Sequence, residues 1–429
     1  MNQRNYWLDT ATMPTGTPGV LPARVDVAIV GAGFTGLSAA RVLAKHGARV
    51  AVLDSNTIGW GASSRNGGMV LTGLKLSAET LARRYGMELT RRMYAASLTS
   101  IELVEQIVAE ESIDCGFSRC GHLEVASKQM HFDAYARSAE VIASEFNHRL
   151  RIVPRNLLRE EIGSDIYFGG MVDEVSAGVN PARYVAGLAS AALSHGAAIF
   201  ENASVASLVR ASDQGDQGFR VVSSRGTLFA REVFIGTSGY TSVATPALHR
   251  KIIPIGSFII CTERLPDALA RELSPRNRMI YDSRHYLHYF RLTPDNRMLF
   301  GGRAAFFPET ASTVRRSAEI LRRGMIEVYP QLRDTKVDYV WGGTLDFCFD
   351  TMPHSGQIGG MYYAVGYAGH GVAMATYLGS QTAAKILGQR YEDPYESIPF
   401  PGAPLGLYNG YPWFLPMAGA YYKVLDWIS

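Results

Sequence analysis

Apolar and polar positions along this chain fall into blocks of different period. Arg24-Val-Asp-Val-Ala-Ile-Val30 is β-branched and apolar almost throughout, the signature of a strand buried on both faces of a parallel sheet. Gly31 follows at once. Over residues 37–45 the pattern becomes helical on helix-forming residues, and Gly47 supplies the stop. Arg49-Val-Ala-Val-Leu53 then reads as a second buried strand, with Asp54 at its carboxyl end. Further along, residues 77–111, 131–147 and 372–387 carry helical periodicity. Residues 229–237, 254–261, 286–292 and 298–303 read as strands. Residues 394–411, rich in Pro and Gly, read as irregular.

The glycines between the first strand and helix give this order a chemical meaning. In Gly31-Ala-Gly33-Phe34-Thr35-Gly36, the first glycine permits a tight turn out of the strand. The second lets the backbone approach a pyrophosphate, and the third lets helix and strand pack closely. Phosphates would meet the free amides and the positive dipole end of the helix. Asp54 stands 18 residues past Gly36, near the spacing of about 20 expected of the acid that holds ribose hydroxyls. Strand, triplet, helix, strand and acid together predict a Rossmann-type dinucleotide site. The strand ending at Thr237-Ser-Gly239 leads into no second triplet, so a separate NAD(P)H domain is not expected and electrons come from an organic substrate.

Composition narrows the class by exclusion. The net charge is +3 and basic residues form no long block, which argues against a nucleic-acid partner. No apolar run reaches the roughly 18–20 residues of a membrane-spanning helix, and the N-terminus lacks the apolar core of a signal peptide. The four cysteines, Cys115, Cys120, Cys261 and Cys348, form no Cys-x-x-Cys pair and lack His at zinc-finger spacing. A cytoplasmic protein with reduced thiols and no metal site is the expectation.

Three further runs carry a family likeness: Ile58-Gly-Trp-Gly-Ala-Ser-Ser-Arg-Asn-Gly-Gly68, Tyr286-Leu-His-Tyr-Phe-Arg-Leu-Thr-Pro-Asp-Asn-Arg297 and Gly366-Tyr-Ala-Gly-His-Gly-Val372. With the N-terminal fingerprint, the chain resembles the D-amino-acid-oxidase-like flavoenzymes, which include sarcosine, iminodiacetate and glycine oxidases. It looks most like the γ-glutamylputrescine oxidases. The resemblance implies an α/β FAD-binding domain, glutathione-reductase-like, from residues 1–85, 148–240 and 341–390. It implies a second, antiparallel-sheet domain from residues 86–147 and 241–340 that roofs the flavin, and a C-terminal extension over residues 391–429. It implies one FAD, with Gly31, Gly33, Phe34, Thr35, Gly36, Asp54 and the Val205 backbone on the adenine side. Ser63, Ser64, Arg65, Gly67, Gly68, Met69, Thr237 and Gly239 would follow along the pyrophosphate and flavin, and Gly369, His370, Gly371 and Val372 would sit at the flavin's pyrimidine edge. There the helical pattern over residues 372–387 puts amides at a helix N-terminus, suited to the negative charge of reduced flavin. His370 reads either as a turn residue or as a functional one. Aligning Asp350-Thr-Met-Pro353 with sarcosine oxidases puts Gly343 where some relatives tether FAD through cysteine, so FAD is expected to be non-covalent.

The substrate side rests on a hairpin. If Asp295 and Asn296 are a two-residue loop, His288 sits opposite Arg303, Phe290 opposite Gly301 and Leu292 opposite Leu299. Two facing cations are unfavourable unless an anion lies between them. That pairing implies a carboxylate-bearing amine held by Arg303, with His288, Tyr367 and His370 as the other catalytic candidates, or else a solvated strand end. Tyr286 and Phe347 are candidate cavity walls; His122 is a weaker candidate. The anchors usual in the family are missing, with Thr72, Leu345 and Ala373 in their places, and Leu299 stands where relatives carry the lysine of oxygen chemistry. The resemblance implies hydride transfer from a carbon next to nitrogen to flavin N5, then imine hydrolysis and peroxide formation with O2 as acceptor. N-carboxymethyl amino acids such as iminodiacetate suit a cationic cleft, and γ-glutamyl polyamines stay open. The apolar run from Trp413 to Ile428 suits docking on the body, a homo-oligomer contact or a membrane surface. The last would favour a dehydrogenase feeding quinone, and a flavin-binding subunit without turnover remains a third reading.

Overall fold

A computed structural model describes residues 1–302, 310–419 and 421. The apolar N-terminal run forms the strand Arg24–Val30 at the centre of a sheet. It is flanked in parallel by Gly226–Ile235 and Val50–Leu53, with Ala198–Phe200 beyond. Met361–Val365 and His354–Ile358 extend the other edge. The helices Phe34–Lys45, Pro181–Ser194 and Gly371–Ile386 cover one face, and Leu37, Leu43, Tyr184, Leu188 and Leu378 are fully buried there. The strand's near-continuous apolar sequence follows from having both faces covered.

The second sheet is the roof. Its strands run in the order Val337–Cys348, Ile252–Arg264, Arg297–Gly302, His288–Leu292, Met279–Asp282, His122–Val125, Gly169–Asp173 and Arg151–Pro154. All neighbours are antiparallel except Met279–Asp282 with His122–Val125, so the sheet is mixed. The helix Ala311–Val328 backs it over a core that includes Phe258, Phe290, Phe300 and Leu321.

The domain boundaries fall elsewhere than expected, because sheet membership is decided by distant partners. Gly86, at φ +82°, breaks residues 77–111 into two helices. The second, Met87–Glu110, buries Met93, Ile101, Val104 and Ile107 in the dinucleotide domain's core rather than beside the roof. Residues 151–173 and 341–348, assigned to the FAD domain, supply roof strands. Tyr395 and Ile398 of the C-terminal extension join the first core.

The hairpin also corrects the expected register. Thr293 and Arg297 close a three-residue loop, with Thr293 N–H donating to Arg297 O at 2.9 Å and Asn296 in the left-handed region at φ +61°. Asn tolerates that conformation, and Asp295 is pinned by hydroxyls of Thr293 (2.6 Å) and Tyr6 (2.5 Å). His288 therefore pairs with Gly302, Phe290 with Phe300 and Leu292 with Met298. The His288–Arg303 pairing is withdrawn, and Arg303 lies outside the described residues.

The N-terminus is a wedge between the two domains. Trp7 is fully buried with Tyr6, Leu299 and Trp341, and its indole N–H donates to Asn66 O at 2.9 Å. Asn5 donates to Ser64 O at 2.8 Å. At the other terminus, Leu415 buries against Ile253 and Phe347, while Trp413 and Met417 are exposed.

Phe290 stacks on Phe300 (5.3 Å between ring centres) and meets Tyr329 edge-on, fully buried. Phe290→Ala should lower the unfolding free energy by about 3–5 kcal/mol, read by denaturant titration of the flavin-loaded protein. A loss below about 1 kcal/mol would show that this hairpin is not part of the roof's core.

Candidate active site

The glycine turn is built by close backbone contact. Gly31 has φ +106°, and a Cβ there would lie 2.9 Å from Gly236 O. A Cβ on Gly36 would overlap Gly31 O. Gly33 precedes the helix Phe34–Lys45 as a cap residue with no side chain of its own to offer. Ser63 Oγ stands beside it and accepts from Phe34 N–H at 2.9 Å. Asp54 accepts from the amides of Ala32 (2.7 Å) and Asn56 (2.8 Å), which fixes its carboxylate at the strand end. Burial pushes that carboxyl above its ordinary range, and the two amides oppose the rise.

One cavity of about 420 Å³ runs from this turn to the roof. Gly31, Gly33, Phe34, Thr35, Asp54, Val205 and Thr237 line its first part, and Ser63, Arg65, Gly67 and Met69 its middle. Tyr367, Gly369, His370, Gly371 and Val372 line its inner part. The remaining expected residues lie behind the wall. Gly36 serves helix–strand packing and Gly239 packs on Leu345 O. Ser64 is buried beside Asn5. Gly68 O is held by Val179 N–H at 2.9 Å and by Arg291 at 3.2 Å. His288 does not reach the cavity: its ring lies 4.9 Å from that of Phe300 and 3.5 Å from Asp282, toward the backing helix. The catalytic assignment of His288 is corrected accordingly.

Arg65 ties the glycine loop to the roof by donating to Trp60 O (2.8 Å) and Gly342 O (3.0 Å). Leu299, Phe347 and the four cysteines do not line the cavity. Tyr286 does not line it either.

At the inner end, Asp346 accepts from Gly366 N–H at 2.6 Å and sets the turn that leads to His370. Burial pushes its carboxyl up to about 6. Tyr367 hydroxyl meets Thr35 Oγ1 at 2.8 Å, joining this turn to the first helix. His370 precedes the helix Gly371–Ile386 without capping it by its side chain. Its Nδ1 is buried and has no hydrogen-bond partner. Burial pushes the imidazole down to about 3, aided by the nearby charge of Lys75, so the ring is neutral.

Several residues of the roof end were missed. Lys75, Tyr281 and Tyr289 line it. Tyr289 faces the cavity because it alternates with His288 along the strand, a parity that the correct loop length would have given. Tyr281 hydroxyl lies 3.3 Å from His122 Nε2 and 3.4 Å from Glu124. Behind them His122 meets Ser176 (2.9 Å), and Asp173 accepts from Thr72 and from His148 at 3.2 Å. Burial would raise the Asp173 carboxyl, but these hydrogen bonds and the two histidines hold it far below its ordinary range. The residues of this cluster are scattered through the sequence, and only His122 was noticed there.

Comparison with known proteins agrees with this geometry. Residues 26–385 match the family described as FAD dependent oxidoreductase. The chain is 32% identical over 392 residues to a probable oxidoreductase OrdL of Haemophilus influenzae, covering 90% of this chain and 88% of that one. It is 31% identical over 406 residues to the gamma-glutamylputrescine oxidoreductase of Escherichia coli, covering 94% and 92%. The crystal structure of glycine oxidase from Geobacillus kaustophilus shares the fold, with a TM-score of 0.75, 21% identity and coverage of 89% and 100%.

Gly36→Ala should weaken FAD binding about tenfold or more, seen as loss of flavin absorbance from purified protein; full retention would show that the turn can relax. Asp346 gives a pH test. Its folded-state pKa of about 6 exceeds the unfolded value, so protonation favours the folded state. The stability of the wild type relative to Asp346→Asn should therefore fall as pH rises from about 4 through about 6, then level off. Thermal melts across that range check it, and parallel curves would refute it.

Proposed function

The chain belongs to the FAD dependent oxidoreductase family, whose members act on amines and amino acids, and from that premise we propose that it oxidises a carboxylate-bearing amine. The site fits FAD: two helices open their N-termini on one cavity, with Ser63 Oγ at the Phe34 N–H of the first, and His370 Nδ1 is left without a partner at its inner end. Gly33, Phe34 and Ser63 would hold the pyrophosphate, Asp54 the ribose, and His370, Gly371 and Val372 the pyrimidine edge, all without a covalent bond. When bound, FAD accepts a hydride from the carbon next to the amine nitrogen.

The chain's own residues orient and tune the substrate. The observation that carries the reading is Lys75 on the same cavity wall as the Tyr281 hydroxyl and neutral His370. An ammonium and a hydroxyl suit a carboxylate. Positive charge near the reacting amine also favours its neutral form, the form that can be oxidised. No residue here is required as a nucleophile. Orientation and field are what the protein contributes.

An N-carboxymethyl amino acid of the iminodiacetate kind meets these terms, and so does a γ-glutamylated diamine. The kinship to gamma-glutamylputrescine oxidoreductase over 94% of the chain favours the second. Molecular oxygen is the proposed acceptor. Exposed Leu405, Leu407 and Trp413 favour, as a second reading, transfer to a quinone at a membrane surface. No helix among the described residues is long and apolar enough to cross a membrane.

Anaerobic mixing of the flavin-loaded protein with iminodiacetate and with γ-glutamylputrescine should bleach the flavin with at least one of them, and readmitted air should yield peroxide. Bleaching by neither, nor by any other carboxylate-bearing amine, sinks the proposal. Bleaching with peroxide only in trace amounts moves the acceptor to quinone. Lys75→Met should raise KM about tenfold with kcat nearly unchanged, and Arg303→Ala in parallel reports whether a second cation shares the carboxylate.

A further inference from the structure

Oxidising an amine leaves a proton to be placed. At neutral pH an amine arrives as an ammonium, and only its neutral form has the lone pair that assists hydride departure. Lys75 favours the neutral form by its charge, yet an ammonium has no acceptor to offer. A chain of hydrogen bonds behind the cavity wall starts from Tyr281. Leu123 and Val125 point into the roof's own core, so alternation turns His122 to the other face. There the Tyr281 ring, part of the cavity wall, stacks on that of His122 at 5.3 Å, with its hydroxyl 3.3 Å from Nε2. His122 stands directly opposite Asp173 in the antiparallel register. Ser176 bridges the two: its Oγ lies 2.9 Å from His122 Nδ1 and donates to Asp173 at 3.3 Å.

The charge on Asp173 sets the direction of every proton in this chain. Its oxygens accept from Val175 N–H (2.8 Å), His148 Nε2 (3.2 Å), the Thr72 hydroxyl and the Ser176 hydroxyl. Tyr94 holds the other nitrogen of His148 at 2.8 Å. Ser176 spends its one proton on the carboxylate, so its oxygen can only accept, from Thr72 N–H at 3.2 Å and from His122 Nδ1. Nδ1 therefore carries the imidazole proton, and bare Nε2 takes the Tyr281 O–H. That leaves the phenol's lone pairs for an N–H. Burial pushes the His122 imidazole below its ordinary range, with His148 and Arg278 adding to the fall and Asp173 opposing it. At rest the ring is an unprotonated acceptor beside an anion.

We propose that Tyr281 and His122 take the proton of the substrate ammonium, with Ser176 and Asp173 as positioning residues that hold His122 in the receiving tautomer. This deepens the reading above and rests on it. The substrate N–H bond breaks with its electron pair left on nitrogen. That proton joins the Tyr281 oxygen as the phenol's own proton passes to His122 Nε2. The imidazolium keeps its Nδ1–H on Ser176 and lies 3.7 Å from Asp173. No electrons change molecule, and the net charge of site plus substrate is unchanged. Burial raises the phenol well above its ordinary range, so the oxygen passes a proton on rather than standing as a phenolate. With Nε2 protonated, the Tyr281 hydroxyl is free to donate, as a substrate carboxylate beside Lys75 requires. The proton leaves through Tyr281 once product has gone. Glu124, within reach of Tyr135, lies 3.4 Å from the Tyr281 hydroxyl and is the competing acceptor. Lys75 and the neutral His370 ring complete the surroundings on the cavity wall.

Two measurements on the flavin-loaded protein test the relay. In nitrogen NMR of the imidazoles, the ring whose signals vanish in His122→Gln should carry its proton on Nδ1 and none on Nε2 near neutral pH. Anaerobic mixing with iminodiacetate or γ-glutamylputrescine, whichever bleaches the flavin, is then followed across pH at saturating amine. Tyr281→Phe and His122→Gln should each slow bleaching about a hundredfold near neutral pH. The deficit should shrink about tenfold per pH unit and vanish near the amine's own ordinary pKa, where solvent supplies the neutral form. Asp173→Asn should give a smaller deficit of the same shape, and Glu124→Gln should keep the wild-type profile, with melts showing that each fold is kept. A merely structural role slows bleaching equally at every pH. That result in both variants, a resting proton on Nε2, or a profile that changes with Glu124→Gln instead would each overturn the relay alone. Bleaching by no carboxylate-bearing amine sinks the oxidation reading, and the relay with it.

Discussion

Two helices crossing in contact set this site. Phe34–Lys45 and Gly371–Ile386 lie so close that a Cβ on Gly379 would overlap Thr35 O, and Tyr367 hydroxyl meets Thr35 Oγ1 at 2.8 Å. Both N-termini open on one cavity; Ser63 Oγ takes the Phe34 N–H of the first, and no side chain caps the second. Each leaves amide donors that water or a ligand must satisfy. A long anion-bearing ligand spanning both is the economical solution, and the cavity's shape follows from that spacing. The glycine loop, the Asp346 turn and the roof are all arranged around the two ends.

The roof adds a different physics. The dinucleotide end works through backbone amides and small residues, which fix geometry without free charge. The roof end instead concentrates ionisable side chains: Lys75, Glu124, His122, His148 and Asp173 lie within one connected neighbourhood. Burial pushes the His122 imidazole down, and Asp173 keeps its charge through hydrogen bonds. Under the proposed reading, substrate choice would reside in side chains at the roof end, and cofactor choice in backbone shape. The two can change independently, which suits a family whose members share one cofactor and differ in the amine.

Much of the first half of this arrangement was legible in the sequence. The strand Arg24–Val30 falls on the residues its apolar run marked, and the helix after it begins three residues earlier than its periodicity alone suggested. Local chemistry determines those elements: apolar runs, a glycine turn and a helix stop. The helix Gly371–Ile386 was equally plain. What failed were features fixed at a distance. The hairpin register turned on one loop residue, Asn296, whose left-handed conformation shifts every pairing along the strands. That shift took His288 away from the cavity and left Tyr289 on it. Lys75 and Tyr281 went unnoticed because nothing in their neighbours marks them. Only the folding of a loop after the glycine run against a roof strand brings the two to one cavity wall. Sheet membership of residues 151–173 was hidden for the same reason, since their partners are His122–Val125 and one another.

The N-terminal wedge has a consequence for the order of assembly. Trp7 and Asn5 hold the carbonyls of Asn66 and Ser64, beside Ser63 and Gly67 in the cavity wall. Yet Trp7 packs on Trp341, and Asn2 pairs with Tyr339. The residues around Trp7 thus find their seat only after more than three hundred later ones have been made. Until then the glycine loop lacks its brace. Long-range closure of this kind is slow because chain entropy is lost before contacts repay it. The cofactor pocket is finished by segments more than three hundred residues apart, so a chain cut between them keeps the fingerprint yet lacks a finished place to put the ligand.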